Sequence, residues 1–165
     1  MHRDGTIDVN LSGTTARSTL KVAGPRHAPL TLGQVHIDGD LKGFVAKQAD
    51  LTGTLQVSGG MRLLALDDLH AGAAIDIGYG ATGHAMTVVL DEVTDAGITS
   101  ATAIRTLRVS HWHDTDSVSD VIAAPSVHAL LARGDFAADM RLHGAPGDVS
   151  LNVMRVGGTL HDAVV

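Results

Sequence analysis

One frame recurs along this chain and restricts its fold more than any other feature: apolar, two residues, apolar, one residue, apolar, one residue, Gly, one residue, apolar. It fits Leu32-Val35-Ile37-Gly39-Leu41, Val127-Leu130-Ala132-Gly134-Phe136 and Leu151-Met154-Val156-Gly158-Leu160. Shorter copies are Leu20-Val22-Gly24 and Leu55-Val57-Gly59-Met61, and Ile104-Leu107-Val109 carries His111 where the Gly falls. Repetition on this scale marks stacked units, each too small to bury its own apolar face alone.

Alternation inside the frame has the period of a strand with one buried face. The same alternation runs through Ile7-Val9-Leu11, Ile75-Ile77, Met86-Val88-Leu90 and Met140-Leu142. Turn signals separate these runs at Gly13, Gly24-Pro25, Asp38-Gly39, Gly59-Gly60, Gly144 and Pro146-Gly147. Strand-turn units every ~20–25 residues point to an all-β fold, a single-stranded parallel β-helix (β-solenoid), with coils stacked about 4.8 Å apart. An antiparallel β-sandwich shows similar alternation but needs several large core residues. Only Phe44, Phe136, Tyr79 and Trp112 are aromatic, 2% of the chain, so the solenoid is the preferred architecture. Seventeen Asp against one Glu, with three Lys and 19 Gly, favour turns over helices.

Residues 1–165 read as a single β-solenoid domain, with irregular coils over 1–83 and a more regular repeat unit over 84–165. Its first residues, Met1-His2-Arg3-Asp4-Gly5, lack the apolar segment of a secretory signal. The last, Thr159 to Val165, stop soon after a frame with no amphipathic cap, and the chain is expected to be a piece of a longer protein. A net charge of −6 gives no footprint for nucleic acid, and no apolar stretch of about 18 residues is present to enter a membrane. No Cys is present, which removes disulfides, thiolate zinc sites and a Cys nucleophile.

Three segments carry residue types suited to chemistry. Gly78-Tyr79-Gly80-Ala81-Thr82-Gly83 spells a dinucleotide fingerprint, but β-branched Thr87, Val88, Val89 and Val93 disfavour the helix that must follow. A Gly-rich corner is expected there, and no cofactor. His111-Trp112-His113-Asp114-Thr115-Asp116 is the densest cluster of ligand types. On a strand His111 and His113 face one side and suit zinc or nickel, whereas in a loop Asp114 and Asp116 offer oxygens to calcium. His111, His113, Asp114 and Asp116 are the candidate metal ligands, weighed against a preferred reading as a solvated loop in which Trp112 caps the coil. Asp67-Asp68 and Asp91-Glu92 are paired acids of the kind that glycosidases use, but neighbours on a strand point to opposite faces. No catalytic residue is assigned. His36, His128 and His161 lie between apolar strand positions and should face solvent.

The run Ala103 to Val109, then Trp112-His113-Asp114-Thr115-Asp116, Asp120-Val121-Ile122-Ala123-Ala124-Pro125 and Gly134-Asp135-Phe136-Ala137-Ala138-Asp139, resembles a repeat unit of very long, functionally uncharacterised surface or secreted proteins of planctomycete-type bacteria. The resemblance covers about residues 84–165. It implies a parallel β-helix and an extracellular or cell-surface setting, and it implies no activity. The expected role is a non-enzymatic structural segment, a rigid spacer or interaction surface of a large exported protein. Its partners would be neighbouring solenoid coils. The alternatives are a β-helix that binds or cleaves polysaccharide as a lyase or glycoside hydrolase, and a β-helical filament protein.

Overall fold

The computed structural model describes residues 5–24, 30–81, 83–144 and 149–161. The expected turns at Pro25 and Pro146-Gly147, and the chain ends at Met1 and Val165, lie outside the described residues. Among those described there is no helix, and the strands stack in parallel as a β-solenoid of about 6 turns with about 23 residues per coil.

Successive coils contribute strands to two long faces, and two of them add strands to a short third one. The first face orders β1 (Ile7–Thr14), β3 (Leu30–Gly39), β6 (Thr54–Val57), β8 (Ala74–Ile77), β11 (Gly97–Ser100), β14 (Val121–Ala124) and β16 (Asp139–Leu142), with β5 (Ala49–Leu51) beside the start of β3. The second face orders β2 (Thr19–Lys21), β4 (Gly43–Ala46), β7 (Leu63–Leu66), β9 (Met86–Val89), β12 (Ile104–Val109), β15 (Val127–Ala132) and β17 (Leu151–Val156). The third holds β10 (Glu92–Thr94) and β13 (His111–His113).

In-register parallel pairing converts the sequence alternation into ladders of side chains that run the length of the stack. On the first face Val9, Val35, Leu55, Ile75, Ile98, Ile122 and Met140 are successive partners. On the second the series is Leu20, Phe44, Leu64, Val88, Leu107, Leu130 and Met154. A third ladder starts from β3 and β5 and continues through the third face: Leu32, Leu51, Leu69, Val93, Trp112, Phe136 and Leu160. The stack passes through residue 83 without a break, from Leu64 to Val88. Inner members of the ladders are fully buried, whereas Val9, Leu20, Met154 and Val156 in the outer coils are half-buried. Val35, Ile37, Leu107, Val109 and Leu130 point inward and are buried, as the alternation requires.

The recurring frame is not one repeat in space. Its copies at Leu32 and Leu55 stack on each other on the first face, whereas those at Ile104, Val127 and Leu151 stack on the second. Alternation alone is the same on every face, so the frame identifies strands but not the side of the coil they occupy.

Part of the excess of Asp over Glu serves the stack. Several Asp carboxylates accept a backbone N–H from the next coil: Asp8 in β1 from Gln34 at 2.8 Å, and outside the strands Asp40 from Gly60 at 2.8 Å, Asp68 from Glu92 at 3.0 Å and Asp135 from Thr159 at 2.7 Å. A short side chain suits a gap of one coil spacing, and the bond is charge-assisted. The Gly78–Gly83 segment lies between β8 and β9, with the Gly78 N–H donating to Val57 of the coil before.

Candidate functional site

The third face carries the densest chemistry. Pairing of β10 with β13 sets Glu92 opposite His111, Val93 opposite Trp112 and Thr94 opposite His113. Alternation turns Val93 and Trp112 into the core, both fully buried, and leaves Glu92, His111 and His113 on the outer side. The two imidazoles stack with centroids 5.7 Å apart and planes 14° from parallel. Glu92 reaches both: Oε1 lies 2.8 Å from His111 Nδ1 and Oε2 lies 3.5 Å from His113 Nε2. Ligand atoms of the three residues all fall within 4.8 Å of one another.

His111 has a defined seat. A Cβ at position 134, one coil on, would overlap the His111 ring, so Gly134 is what allows the imidazole to lie against the next coil. Beneath it, Trp112 packs edge-to-face on Phe136 at 5.8 Å, and its indole N–H donates to Asp120 Oδ2 at 2.7 Å. Burial pushes the Asp120 carboxyl up to about 6, against the lowering effect of the indole bond.

Asp114 and Asp116 belong to a neighbouring group with Asp95, whose oxygens also lie within 4.8 Å of one another. Asp95 is the one non-Gly residue at positive φ among those described, 47°. It accepts from the Thr115 N–H and hydroxyl, both at 2.6 Å, and these bonds, the hydroxyl first, hold its carboxyl below the usual range. Asp116 accepts from the Val118 N–H at 2.6 Å. Asp114 Oδ1 is buried without a hydrogen-bond partner.

A third group lies where β7 and β9 end. Asp67, Asp68 and Asp91 converge to the same limit, and Asp67 and Asp91 line an open depression of about 560 Å³ rimmed by Lys47, Arg108, Arg133 and Arg155. Burial first, then the neighbouring carboxylates, raises Asp67, and burial raises Asp68 against its bond from the Glu92 N–H. Asp91 also accepts from the Ser110 hydroxyl.

The four candidate ligands thus divide between two groups. His111 and His113 share the outer side of a strand, as alternation predicts for an extended segment. Trp112 is a rung of the core ladder rather than the cap of a solvated loop, and the loop begins only after His113. Sequence reasoning did not join Glu92 or Asp95 to these residues, nor Asp120 to Trp112. The available signal was coil length: Glu92 precedes His111, and Asp95 precedes Thr115, by one turn of the stack. His36, His128 and His161 are exposed, with His36 beside Gln56 and His128 beside Asn152.

Comparison with protein-family models, with curated proteins and with solved structures finds no match to this chain.

Proposed function

We propose that this chain is a non-enzymatic structural segment of a β-solenoid, serving as a rigid spacer or interaction surface within a large exported bacterial protein. The observation that carries this reading is the continuity of the three side-chain ladders, in which each described coil supplies a partner to the next. Such a stack transmits length and stiffness, because each coil is fixed by hydrogen bonds and packing to both neighbours. The extracellular or cell-surface setting rests on the resemblance of residues 84–165 to repeat units of planctomycete-type surface proteins. Neighbouring coils, of the same or a longer chain, are the proposed partners. The half-buried Val9, Leu11 and Leu20 on one outer coil, and Leu151, Met154 and Val156 on the other, are apolar positions that a further coil would cover.

Sedimentation velocity across a hundredfold range of concentration tests the partner proposal. Reversible association, abolished by Met154→Lys with Val156→Lys, supports coil-on-coil stacking, and growth without limit favours a filament. A monomer at the highest concentration opposes both.

A second reading, polysaccharide binding or cleavage by a β-helix, is favoured by one feature: the Asp67 carboxyl, raised by burial and by neighbouring carboxylates, lines a depression rimmed by Lys47, Arg108, Arg133 and Arg155. Rim cations suit the carboxylates of an acidic polysaccharide. Calorimetric titration with polygalacturonate, and reducing-end or unsaturation assays on the same polymer, test it. Binding lost in Arg108→Ala with Arg133→Ala supports this reading, and no heat and no product oppose it.

A further inference from the structure

We propose that Glu92, His111 and His113 form a binding site for one divalent transition-metal ion, zinc in preference to the hard cations calcium and magnesium. Two imidazole nitrogens and one carboxylate are a borderline donor set, suited to zinc, nickel or cobalt and poorly suited to ions that require six or more oxygens.

The geometry is close to what such an ion requires. A tetrahedral zinc with bonds of about 2.0–2.2 Å sets its donor atoms roughly 3.3–3.5 Å apart. One donor atom from each of Glu92, His111 and His113 already lies within 4.8 Å of the other two, so adjustments of about an ångström would bring them to that spacing. Glu92 is the only Glu in the chain, and its extra methylene lets one carboxylate reach both rings across the gap between coils.

The site is also held in place. Its three residues alternate with Val93 and Trp112, which are locked in the core, and Trp112 is fixed further by Asp120 and Phe136. Gly134 provides the space into which the His111 ring fits. Ligands on rigid strands with packed supports lose little freedom on binding a metal. Glu92, His111 and His113 keep 44%, 41% and 42% of their side-chain surface exposed, so a water or an external ligand has access to the fourth position. An ion there ties the coil of β10 to the coil of β13.

The test is thermal unfolding and calorimetric titration of the whole chain with zinc chloride and, separately, calcium chloride. Zinc should bind one per chain and raise the melting temperature, and cobalt should give the visible absorption of a low-coordinate ion. Glu92→Gln, His111→Ala and His113→Ala should each weaken zinc by roughly tenfold or more. Asp114→Asn with Asp116→Asn should leave zinc affinity unchanged. Metal-free circular dichroism shows that each variant retains its strands, and wild-type stoichiometry does not depend on any variant folding. The proposal is overturned if millimolar zinc neither binds nor shifts melting, or if zinc binding survives in the His111→Ala, His113→Ala double variant. It is also overturned if calcium binds in preference to zinc and the Asp114, Asp116 variant abolishes it.

Discussion

The indole N–H of Trp112 donates to Asp120 Oδ2 at 2.7 Å, a bond between a fully buried ring and a buried carboxyl. It joins the third-face ladder to the start of the first face, within one coil. Burial outweighs the bond and raises the carboxyl from 3.8 to about 6. The folded state therefore holds this proton more tightly than the unfolded chain. Its contribution to stability is complete below about pH 4, declines as pH rises toward 6 and is gone above that. Relative to Asp120→Asn, which keeps an acceptor for the indole and cannot ionise, the wild type should lose about 2–3 kcal/mol between pH 4 and pH 7. Urea unfolding of both proteins at the two pH values checks this. Equal pH profiles would show that Asp120 titrates as a solvated acid.

Ladder position should grade the cost of truncation. Leu107 is fully buried between Val88 and Leu130, whereas Met154 is half-buried at the outer end of the same ladder. Leu107→Ala should cost about 2–5 kcal/mol and Met154→Ala clearly less, because less surface is buried and the gap can collapse. Val109→Asp, which buries an unpaired carboxylate, should cost several kcal/mol or prevent folding. Urea midpoints measure all three.

Corner acids should act as staples between coils. Asp40 Oδ1 accepts the Gly60 N–H at 2.8 Å, and Gly60 is buried. Asp40→Ala leaves that donor without its partner and should cost about 1–3 kcal/mol. Faster amide exchange confined to Gly60 and its neighbours would locate the loss.

Gly134→Ala should separate the candidate metal site from the core beneath it. The added methyl meets the His111 ring, which must leave Glu92 or push the next coil away. Zinc affinity should fall while the Trp112 fluorescence spectrum, set by the buried Phe136 and Asp120 contacts, stays as in the wild type. A shifted spectrum would mean that the coil moved instead of the ring.

Much of this architecture was legible in the residues. Alternation at Val35-Ile37, Leu107-Val109 and Leu130 identifies inward positions, and the scarcity of aromatic residues argues for thin coils over a thick sandwich. The same alternation places His111 and His113 on one side of Trp112. The face each strand occupies was not legible, because the corners differ in length: Leu51 to Leu69 closes a shorter coil than Leu69 to Val93. Glu92 and Asp95 escaped for that reason, since each meets its partners one coil on and the coil length varies along the chain. Asp120 was hidden differently. Nothing local distinguishes an acid buried against an indole from the exposed acids of the loop before it.

Distances along one outward column report directly on in-register parallel stacking. Asn10, His36, Gln56, Asp76, Thr99, Ala123 and Arg141 are successive partners on the first face, and the absence of Cys allows spin labels to be placed at will. Pulsed electron-spin measurements on three label pairs should give separations that grow by about 4.8 Å for each coil crossed. His36 with Ala123 should fall near 19 Å, His36 with Arg141 near 24 Å and Asn10 with Arg141 near 29 Å, each roughly a multiple of that spacing. Separations that do not increase in this order, or that place Asn10 and Arg141 closer together than His36 and Ala123, would contradict the solenoid.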